Sequence, residues 1–190
     1  MTQNEIEKKA LVIIDLQKGI ASMDTSPHSA SEVLNNAGKL AKKCREKNIP
    51  VVAVRVTGPM DIMLHPNVDG NESGFSRRER PADWDQYVDQ LGIRNEDILI
   101  TKHQWGAFYG TDLDLQLRRR HIDTIILCGI ATTYGVESTA RFAYEYGYNQ
   151  IFVEDAMSDM SAEAHEASIK FVLTRIGIIR KTDEVLKMLK

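Results

Sequence analysis

The sequence contains few of the residues that build disulfide frameworks, metal centres or nucleic-acid surfaces. Its 190 residues include two cysteines, five histidines and five prolines, and the net charge at pH 7 is -3. Cys44 in a basic helical stretch and Cys128 in an apolar run favour two unpaired thiols in a reducing compartment. The histidines show no ligand spacing along the chain, so we predict no metal site and no cofactor. The nearly balanced charge excludes an electrostatic footprint for nucleic acid.

Long apolar runs are also missing. The run Ala10–Ile14 is far too short to span a bilayer, and the polar stretch Met1–Lys9 does not read as a secretory signal. We therefore expect a cytoplasmic protein with no membrane contact. The triplet Arg118–Arg120 is interpreted as the solvated end of an amphipathic helix, where cations complement the helix dipole, rather than as a nucleic-acid contact.

What the sequence does contain is an alternation of short apolar runs with amphipathic helical stretches. This alternation is typical of a parallel sheet covered by helices on both faces, in a single domain spanning residues 1–190. Six strands are predicted, at Ala10–Asp15, Val51–Val56, Ile98–Lys102, Thr124–Ile130, Ile151–Val153 and Gly177–Arg180. Helices are predicted at Ser31–Lys47, Leu113–Arg120 and Tyr134–Tyr146. Two more are predicted: one that Ser161 caps, and Asp183–Leu189, which Thr182 caps. The strand Thr124–Ile130 is the most hydrophobic, so we place it near the centre of the sheet.

Residues 57–95 do not fit this alternation. The stretch is rich in glycine and proline and holds at most one short helix, near Asp83–Leu91. A connection of this length is usually a functional lid or binding loop, or else disordered, and we favour a lid or a subunit contact. Phe75, Arg77–Arg80 and Trp84 are then candidates for facing a ligand, with ordinary packing and solvated charge as the alternatives.

Three features are predicted to lie at the carboxyl ends of the strands, where a doubly wound sheet binds its ligands. They are Asp15, Lys102 and the segment Gly129–Gly135. Taken singly, Asp15 is equally a strand stop and Lys102 a surface cation. Because the fold brings these ends together, the three features predict one site.

The blocks around these positions resemble the isochorismatase-like (cysteine hydrolase) superfamily. The matching blocks are Leu11–Gln17, Lys102 with Trp105–Phe108 and Gly110–Leu113, Gly129–Ala140, and Asp155-Ala156. The resemblance covers nearly the whole chain and implies a three-layer α/β/α domain with a six-stranded parallel sheet. In most members the position that matches Gly135 is a nucleophilic cysteine.

The resemblance implies roles for three residues. In members with the thiol, an aspartate is the general base, a lysine aids ionisation, and the backbone of the turn holds the oxyanion. Asp15 and Lys102 match the first two, whereas Gly135 has no side chain and would instead let a ligand approach the backbone. Cys128 precedes the turn and is predicted to pack in the core.

Further residues around the turn are candidates for contacting a substrate. The set comprises Gln17, Trp105, Phe108, Ile130, Ala131, Thr132 and Tyr134. Trp105 and Phe108 are alternatively plain core residues. The resemblance implies a cis peptide bond between Ile130 and Ala131. The hydroxyls of Thr132, Thr133 and Ser138 are interpreted as capping groups, because no histidine is placed to activate them.

True isochorismatases resemble this chain in having glycine in place of the cysteine, and their aspartate is thought to protonate a vinyl ether before water completes the hydrolysis. That role requires Asp15 to be protonated part of the time: Lys102 lowers its pKa and desolvation raises it. We predict an isochorismatase-like hydrolase that acts by non-covalent acid/base catalysis on a small molecule, with an anionic one favoured, at a vinyl ether, ester or amide bond. The alternative is an inactive pseudoenzyme that binds a metabolite or a partner. The metal-binding motif of the nicotinamidases is missing, and a homo-oligomer is expected by family analogy.

Overall fold

The computed structural model describes residues 8–58 and 80–189. Six parallel strands form one sheet in the order β3-β2-β1-β4-β5-β6. The strands are β1 (Lys9–Ile14), β2 (Val51–Val56), β3 (Ile98–Lys102), β4 (Thr124–Ile130), β5 (Asn149–Ser158) and β6 (Ile178–Arg180). The chain winds outward in one direction from β1 to β3 and in the other from β4 to β6. The two central strands therefore flank the switch point of the sheet, where ligands bind in this class of fold.

Helices cover both faces of the sheet. The described part of the chain contains the α-helices α1 (Lys18–Ala21), α2 (Ala30–Glu46), α3 (Leu113–Arg119), α4 (Glu137–Glu145), α5 (Ala162–Ser168), α6 (Thr174–Ile176) and α7 (Thr182–Met188). A 3₁₀ turn spans Asp89–Leu91, and π-helical turns at Thr132–Val136 and Ile169–Leu173 lead into α4 and α6. Helix α2 contacts α7 in one layer, and α4 contacts α6 in the other. The predicted three-layer doubly wound α/β fold is confirmed.

The core is centred on β1 and β4, whose apolar residues are buried on both faces of the sheet. Gly129 adopts a φ of +126°, and a Cβ there would lie 2.1 Å from the carbonyl oxygen of Ile14. Only glycine therefore permits β4 to approach β1 this closely at the end of the strand. Cys128 is fully buried in β4, as predicted. Among residues 8–58 and 80–189, no helix combines the length and apolar character that a bilayer crossing requires.

Strands β2, β3 and β4 have the predicted bounds, but β5 is longer than predicted. It continues past Val153 to Ser158, because its pairing with β4 shifts register and then resumes, with Gly129 opposite Met157 and Ile130 opposite Ser158. The acidic residues that follow Val153 conceal this continuation in the sequence.

Two smaller predictions need correction. The helix predicted from Tyr134 begins instead as the π-helical turn at Thr132 and is regular only from Glu137 to Glu145. Thr182 is the first residue of α7 rather than its cap, and its hydroxyl donates to Asp155. The prediction of at most one short helix near Asp83–Leu91 agrees with the 3₁₀ turn at Asp89–Leu91.

The segment 57–95 is described only in part. Phe75 and residues 77–79 lie outside the described residues, as does most of the predicted lid or subunit contact, which stays a prediction. The guanidinium of Arg80 stacks over the ring of Trp84 at 4.1 Å. Trp84 packs against the hydrophobic core, close to Gly19.

Candidate active site

Asp15 and Lys102 form a buried ion pair at the carboxyl end of the sheet. Asp15 follows β1, Lys102 ends β3, and the ammonium Nζ lies 2.7 Å from the carboxylate Oδ2. The residues are 4% and 1% exposed respectively. Lys102 Nζ also donates to the carbonyl oxygen of Trp105 at 2.5 Å. The fold thus brings together two of the three features that the sequence placed at strand ends.

The backbone of Asp15 has a conformation that is unusual for a residue with a side chain. Its φ is +52°, in the left-handed region that aspartate tolerates better than most residues and that is frequent at functional sites. Its N–H donates to the carbonyl oxygen of Val54 at 3.0 Å, which fixes the turn against β2. The turn directs the carboxyl group toward Lys102 instead of continuing the strand.

The carboxyl group of Asp15 is only half satisfied. Oδ2 contacts Lys102, whereas Oδ1 is buried without a hydrogen-bond partner among the described residues. Burial raises the pKa of Asp15 above its ordinary value of 3.8, and the charge and hydrogen bond of Lys102 only partly oppose this effect. Of the two influences that the sequence left in balance, desolvation is therefore the larger.

Gly135 faces this pair directly. A Cβ built on Gly135 would lie 2.8 Å from Ile14 Cγ2, 3.0 Å from Asp15 Oδ2 and 3.2 Å from Lys102 Nζ. The space that we expected beside Gly135 is therefore occupied by the side chains of Ile14, Asp15 and Lys102. The carbonyl oxygen of Gly135 accepts a 2.6 Å hydrogen bond from the hydroxyl of Thr139, which holds the turn in place.

The turn before Gly135 is fixed by buried polar contacts. The peptide bond between Ile130 and Ala131 is cis. The hydroxyl of Thr132 lies 3.1 Å from the carbonyl oxygen of Ser158 and 2.8 Å from Nδ1 of His165. Helix α5 brings His165 to Thr132 from 33 residues away, a contact that the sequence did not indicate. Because the Thr132 hydroxyl donates to Ser158, His165 Nδ1 must donate to it and does not activate it as a base.

The other candidate residues fall into different environments. Gln17 is fully buried, and its side-chain amide both donates to and accepts from the backbone of Val56. Trp105 is 60% exposed and meets the ring of Tyr134 edge-on at 4.9 Å. Phe108 is buried among aromatic rings in the core. The geometry places Trp105 and Tyr134 at the surface near Lys102, and Gln17 and Phe108 in supporting positions.

Three residues that stabilise the site were missed from the sequence. Asp159 accepts hydrogen bonds from the N–H and the hydroxyl of Thr133, both at 2.7 Å. Thr139 binds the turn, and His165 binds Thr132. The only signal for Asp159 was its place after a strand, which the early end predicted for β5 obscured. Nothing in the sequence marked His165, because it lies within a helix.

A second polar cluster lies near the carboxyl end of the sheet. Donor atoms of His28, Glu154 and His165 lie within 4.8 Å of one another. His28 Nε2 is 2.7 Å from Glu154 Oε1, and His165 Nε2 is 3.7 Å from the same oxygen. The fold therefore assembles a possible ligand set from histidines that are scattered in the sequence.

Neither cysteine takes part in the candidate site. Cys44 and Cys128 are free and buried. Burial raises the pKa of the Cys44 thiol to about 12 and raises that of Cys128 as well. Neither thiol has the exposure or the acidity of a nucleophile.

Comparisons with known proteins place this geometry in a family. An isochorismatase domain matches residues 9–184. The chain is 52% identical to the uncharacterized isochorismatase family protein YwoC of Bacillus subtilis (strain 168), over 98% of this chain and 96% of the relative. It is 49% identical to the uncharacterized isochorismatase family protein YecD of Escherichia coli O157:H7, over 100% of both chains. The solved structure of an isochorismatase family protein from Burkholderia thailandensis superposes with a TM-score of 0.90 at 39% identity, covering 96% of this chain and 95% of that chain.

Proposed function

Because the chain belongs to the isochorismatase family, we propose that it is a hydrolase of a small molecule that acts without a covalent intermediate. Members of the family are hydrolases, and an amidase and amidohydrolases are among the proteins to which the chain is similar. In this proposal Asp15 is the general acid and base, and Lys102 is its electrostatic partner. The chain belongs to the subgroup in which glycine, here Gly135, replaces the nucleophilic cysteine.

The observation that carries the proposal is the half-satisfied carboxyl group of Asp15. Its buried Oδ1 has no hydrogen-bond partner among the described residues, and burial raises the pKa of the carboxyl group. A general acid must hold a proton at working pH and must have a free oxygen directed at the substrate. Lys102, at 2.7 Å, stabilises the carboxylate that remains after the proton has been transferred.

A vinyl ether is the substrate bond that suits this arrangement best. Asp15 donates its proton to the terminal carbon of the double bond, which leaves a positive charge shared between the adjacent carbon and the ether oxygen. Water then adds to that carbon and returns a proton to Asp15. The resulting hemiketal breaks its bond to the ether oxygen, giving a ketone and an alcohol. No step requires a nucleophilic side chain at Gly135, and an ester or amide would react through the same pair with Asp15 as the base.

An anionic substrate is favoured by the charges around the turn. The start of the π-helical turn at Thr132 and of α4 presents the positive end of a helix dipole, and Lys102 adds a cation. The backbone of Ile130 and Ala131 provides further polar groups beside the site. Trp105 and Tyr134, whose rings meet edge-on at the surface, supply apolar contact for the body of the substrate.

The test is the rate of hydrolysis of isochorismate, and of a panel of vinyl ethers, esters and amides, by the wild type and by Asp15→Asn. We expect Asp15→Asn to lower the rate constant by about 10²–10⁴-fold, the usual contribution of a positioned general acid. The matched control is Asp97→Asn. The side chain of Asp97 is also buried and ion-paired, but Asp97 precedes β3 and therefore lies at the amino-terminal end of the strands, away from the site. Equal rates for wild type and Asp15→Asn would remove Asp15 from the mechanism.

A pseudoenzyme is the second candidate, and the burial of the pair favours it. Asp15 and Lys102 are almost inaccessible, and they neutralise each other where a cysteine would otherwise stand. A pseudoenzyme would show a ligand-dependent rise in melting temperature with no product from any substrate in the panel. Product formation that depends on Asp15 excludes this candidate.

We also propose that the protein acts in the cytoplasm as a homo-oligomer. The support comes from family analogy and from the exposure of large aromatic rings, among them Trp105 at 60% and Tyr109 at 68%. Light scattering at micromolar concentration is expected to give a multiple of 21.5 kDa, and a monomeric mass would contradict this.

A further inference from the structure

Three side chains that are remote in sequence converge beside β5. His28 lies in the loop before α2, Glu154 lies in β5, and His165 lies in α5. Their donor atoms are within 4.8 Å of one another, and none of the three belongs to the Asp15–Lys102 pair. Two imidazoles and a carboxylate on three separate elements form a set that the proposed hydrolysis does not use.

The hydrogen bonds of Thr132 determine which nitrogen of His165 is free. The hydroxyl of Thr132 has one proton, and its contact with the carbonyl oxygen of Ser158 requires it to donate, because a carbonyl only accepts. His165 Nδ1, 2.8 Å from the same hydroxyl, must then be the donor. In the neutral ring Nε2 consequently carries the lone pair. It is buried, faces Glu154, and has no hydrogen-bond partner among the described residues.

This arrangement is the one that metal-binding histidines adopt. Such a histidine ligates through one nitrogen while the other donates to an oxygen that fixes the tautomer and the ring orientation. For His165 that oxygen is the Thr132 hydroxyl. An unpartnered lone pair facing a carboxylate would otherwise place two acceptors side by side, which is unfavourable in a buried position.

The cluster is held in place before any ion binds. The carbonyl oxygen of His28 accepts hydrogen bonds from the hydroxyls of Thr25 at 2.8 Å and Ser158 at 2.6 Å, which pin the loop to the end of β5. The separations from Glu154 Oε1 are 2.7 Å to His28 Nε2 and 3.7 Å to His165 Nε2. Tetrahedral ligands at 2.0–2.1 Å from a zinc ion are about 3.3 Å apart, between these two values. Small side-chain adjustments therefore suffice for coordination.

We propose that His28, Glu154 and His165 bind a divalent transition-metal ion, of which Zn²⁺ fits best. Two histidines and one glutamate are a known three-residue zinc set that leaves a fourth position for water. Imidazole ligands favour zinc and its transition-metal neighbours, whereas Mg²⁺ and Ca²⁺ prefer oxygen ligands only. His28 also lines a surface cavity of about 380 Å³ together with Glu32, Asn36, Lys39 and Asp155, and this cavity supplies an entry path.

The test is calorimetric titration of ZnCl₂ into the full chain after dialysis against EDTA. The wild type is expected to bind one Zn²⁺ per chain, and Glu154→Gln and His28→Gln are each expected to bind it more than about 100-fold more weakly, because they remove a ligand rather than an outer partner. The matched control is His121→Asn: His121 is an exposed histidine whose φ of +55° asparagine tolerates. The control should bind like the wild type, and circular dichroism verifies that all variants fold. A wild type that binds no Zn²⁺, or variants that bind it as tightly as the control, would overturn the proposal.

A second pair of variants tests the role of the hydroxyl. Thr132→Val removes the oxygen that orients His165, and the expected loss of Zn²⁺ affinity is about 10–100-fold. Thr132→Ser keeps the oxygen and is expected to restore most of the affinity. Equal affinities for the two variants, or binding of MgCl₂ as tight as that of ZnCl₂, would contradict the proposed coordination through His165 Nε2.

Discussion

The protein contains two buried ion pairs, Arg45–Asp97 and Asp15–Lys102. They differ in how many carboxylate oxygens have a hydrogen-bond partner. Arg45 donates to both oxygens of Asp97, from Nη2 to Oδ2 at 2.6 Å and from Nε to Oδ1 at 3.0 Å. Its Nη1 donates to the carbonyl oxygen of Leu91 at 3.1 Å. Both oxygens of Asp97 are therefore occupied. In the second pair one oxygen of Asp15 contacts Lys102 and the other has no hydrogen-bond partner among the described residues.

The comparison separates an ion pair that holds the structure together from one that is prepared for chemistry. A buried carboxylate with every acceptor filled gains stability from its geometry, and it has nothing left to offer a ligand. A buried carboxyl group with an empty acceptor costs stability unless a proton or a substrate occupies it. Burial alone does not distinguish the two pairs, whereas the count of filled acceptors does.

The largest expected effect comes from breaking the saturated pair. Arg45→Met leaves Asp97 buried without its cation, so we expect the free energy of unfolding to fall by about 3–5 kcal/mol, as for other broken buried pairs. Urea unfolding monitored by circular dichroism measures this. The hydrolysis rate per folded molecule should stay near that of the wild type, in contrast to the rate of Asp15→Asn. A rate loss in Arg45→Met at full folding would mean that both pairs serve the reaction.

A smaller effect is expected from adding a methyl group beside the unsaturated pair. In Gly135→Ala the new Cβ must displace Ile14, Asp15 or Lys102, so we expect a loss of about 1–3 kcal/mol, typical of overpacking, together with slower hydrolysis. The matched control is Gly106→Ala, whose Cβ would meet its neighbours at 3.5 Å or more.

The control should lie within about 1 kcal/mol of the wild type. Gly135→Cys extends the test, because a thiol that gains amidase activity would mean that Asp15 and Lys102 still support a nucleophile. Identical stability and activity in the two alanine variants would contradict the close packing at Gly135.

The smallest expected effect is a displacement of the pH profile. As a general acid, Asp15 is active while protonated, so the rate falls as pH rises through its pKa. Lys102→Met removes the charge that lowers this pKa, and the falling limb of kcat/KM should move to higher pH. In this variant Asp15 has a higher pKa in the folded state than in the unfolded state, where its ordinary value is 3.8. The folded state therefore keeps a proton that the unfolded state releases, and the free energy of unfolding should decline as pH rises above that value. Lys187→Met, at an exposed site, should leave both profiles unchanged.

Strands β1, β2 and β4 were predictable because each is a nearly continuous apolar run that is buried on both faces. Thr124–Ile130 was identified to the residue, and its apolar character correctly indicated a central position. The meeting of Asp15 with Lys102 was also predictable, because the carboxyl ends of parallel strands share one edge of the sheet.

The contacts that complete the site were not predictable from spacing. Ser158 and Asp159 lie at the end of β5 only because a register shift lengthens that strand. His165 reaches Thr132 through the packing of a helix, and the sequence carries no periodic trace of such a contact. The filled space at Gly135 depends on two flexible side chains closing on each other, which a residue type alone does not specify.

Because Cys44 and Cys128 are buried, the folded chain presents no reactive thiol, which has practical value. With both thiols held in the protonated, inaccessible form, thiol-directed reagents have no thiol to react with until the chain unfolds. A cysteine introduced at the surface becomes the only reactive thiol, so it can carry a spin label, a dye or a crosslinker without prior removal of Cys44 and Cys128. In the chain without an introduced cysteine, the rate at which thiol reactivity appears measures unfolding directly.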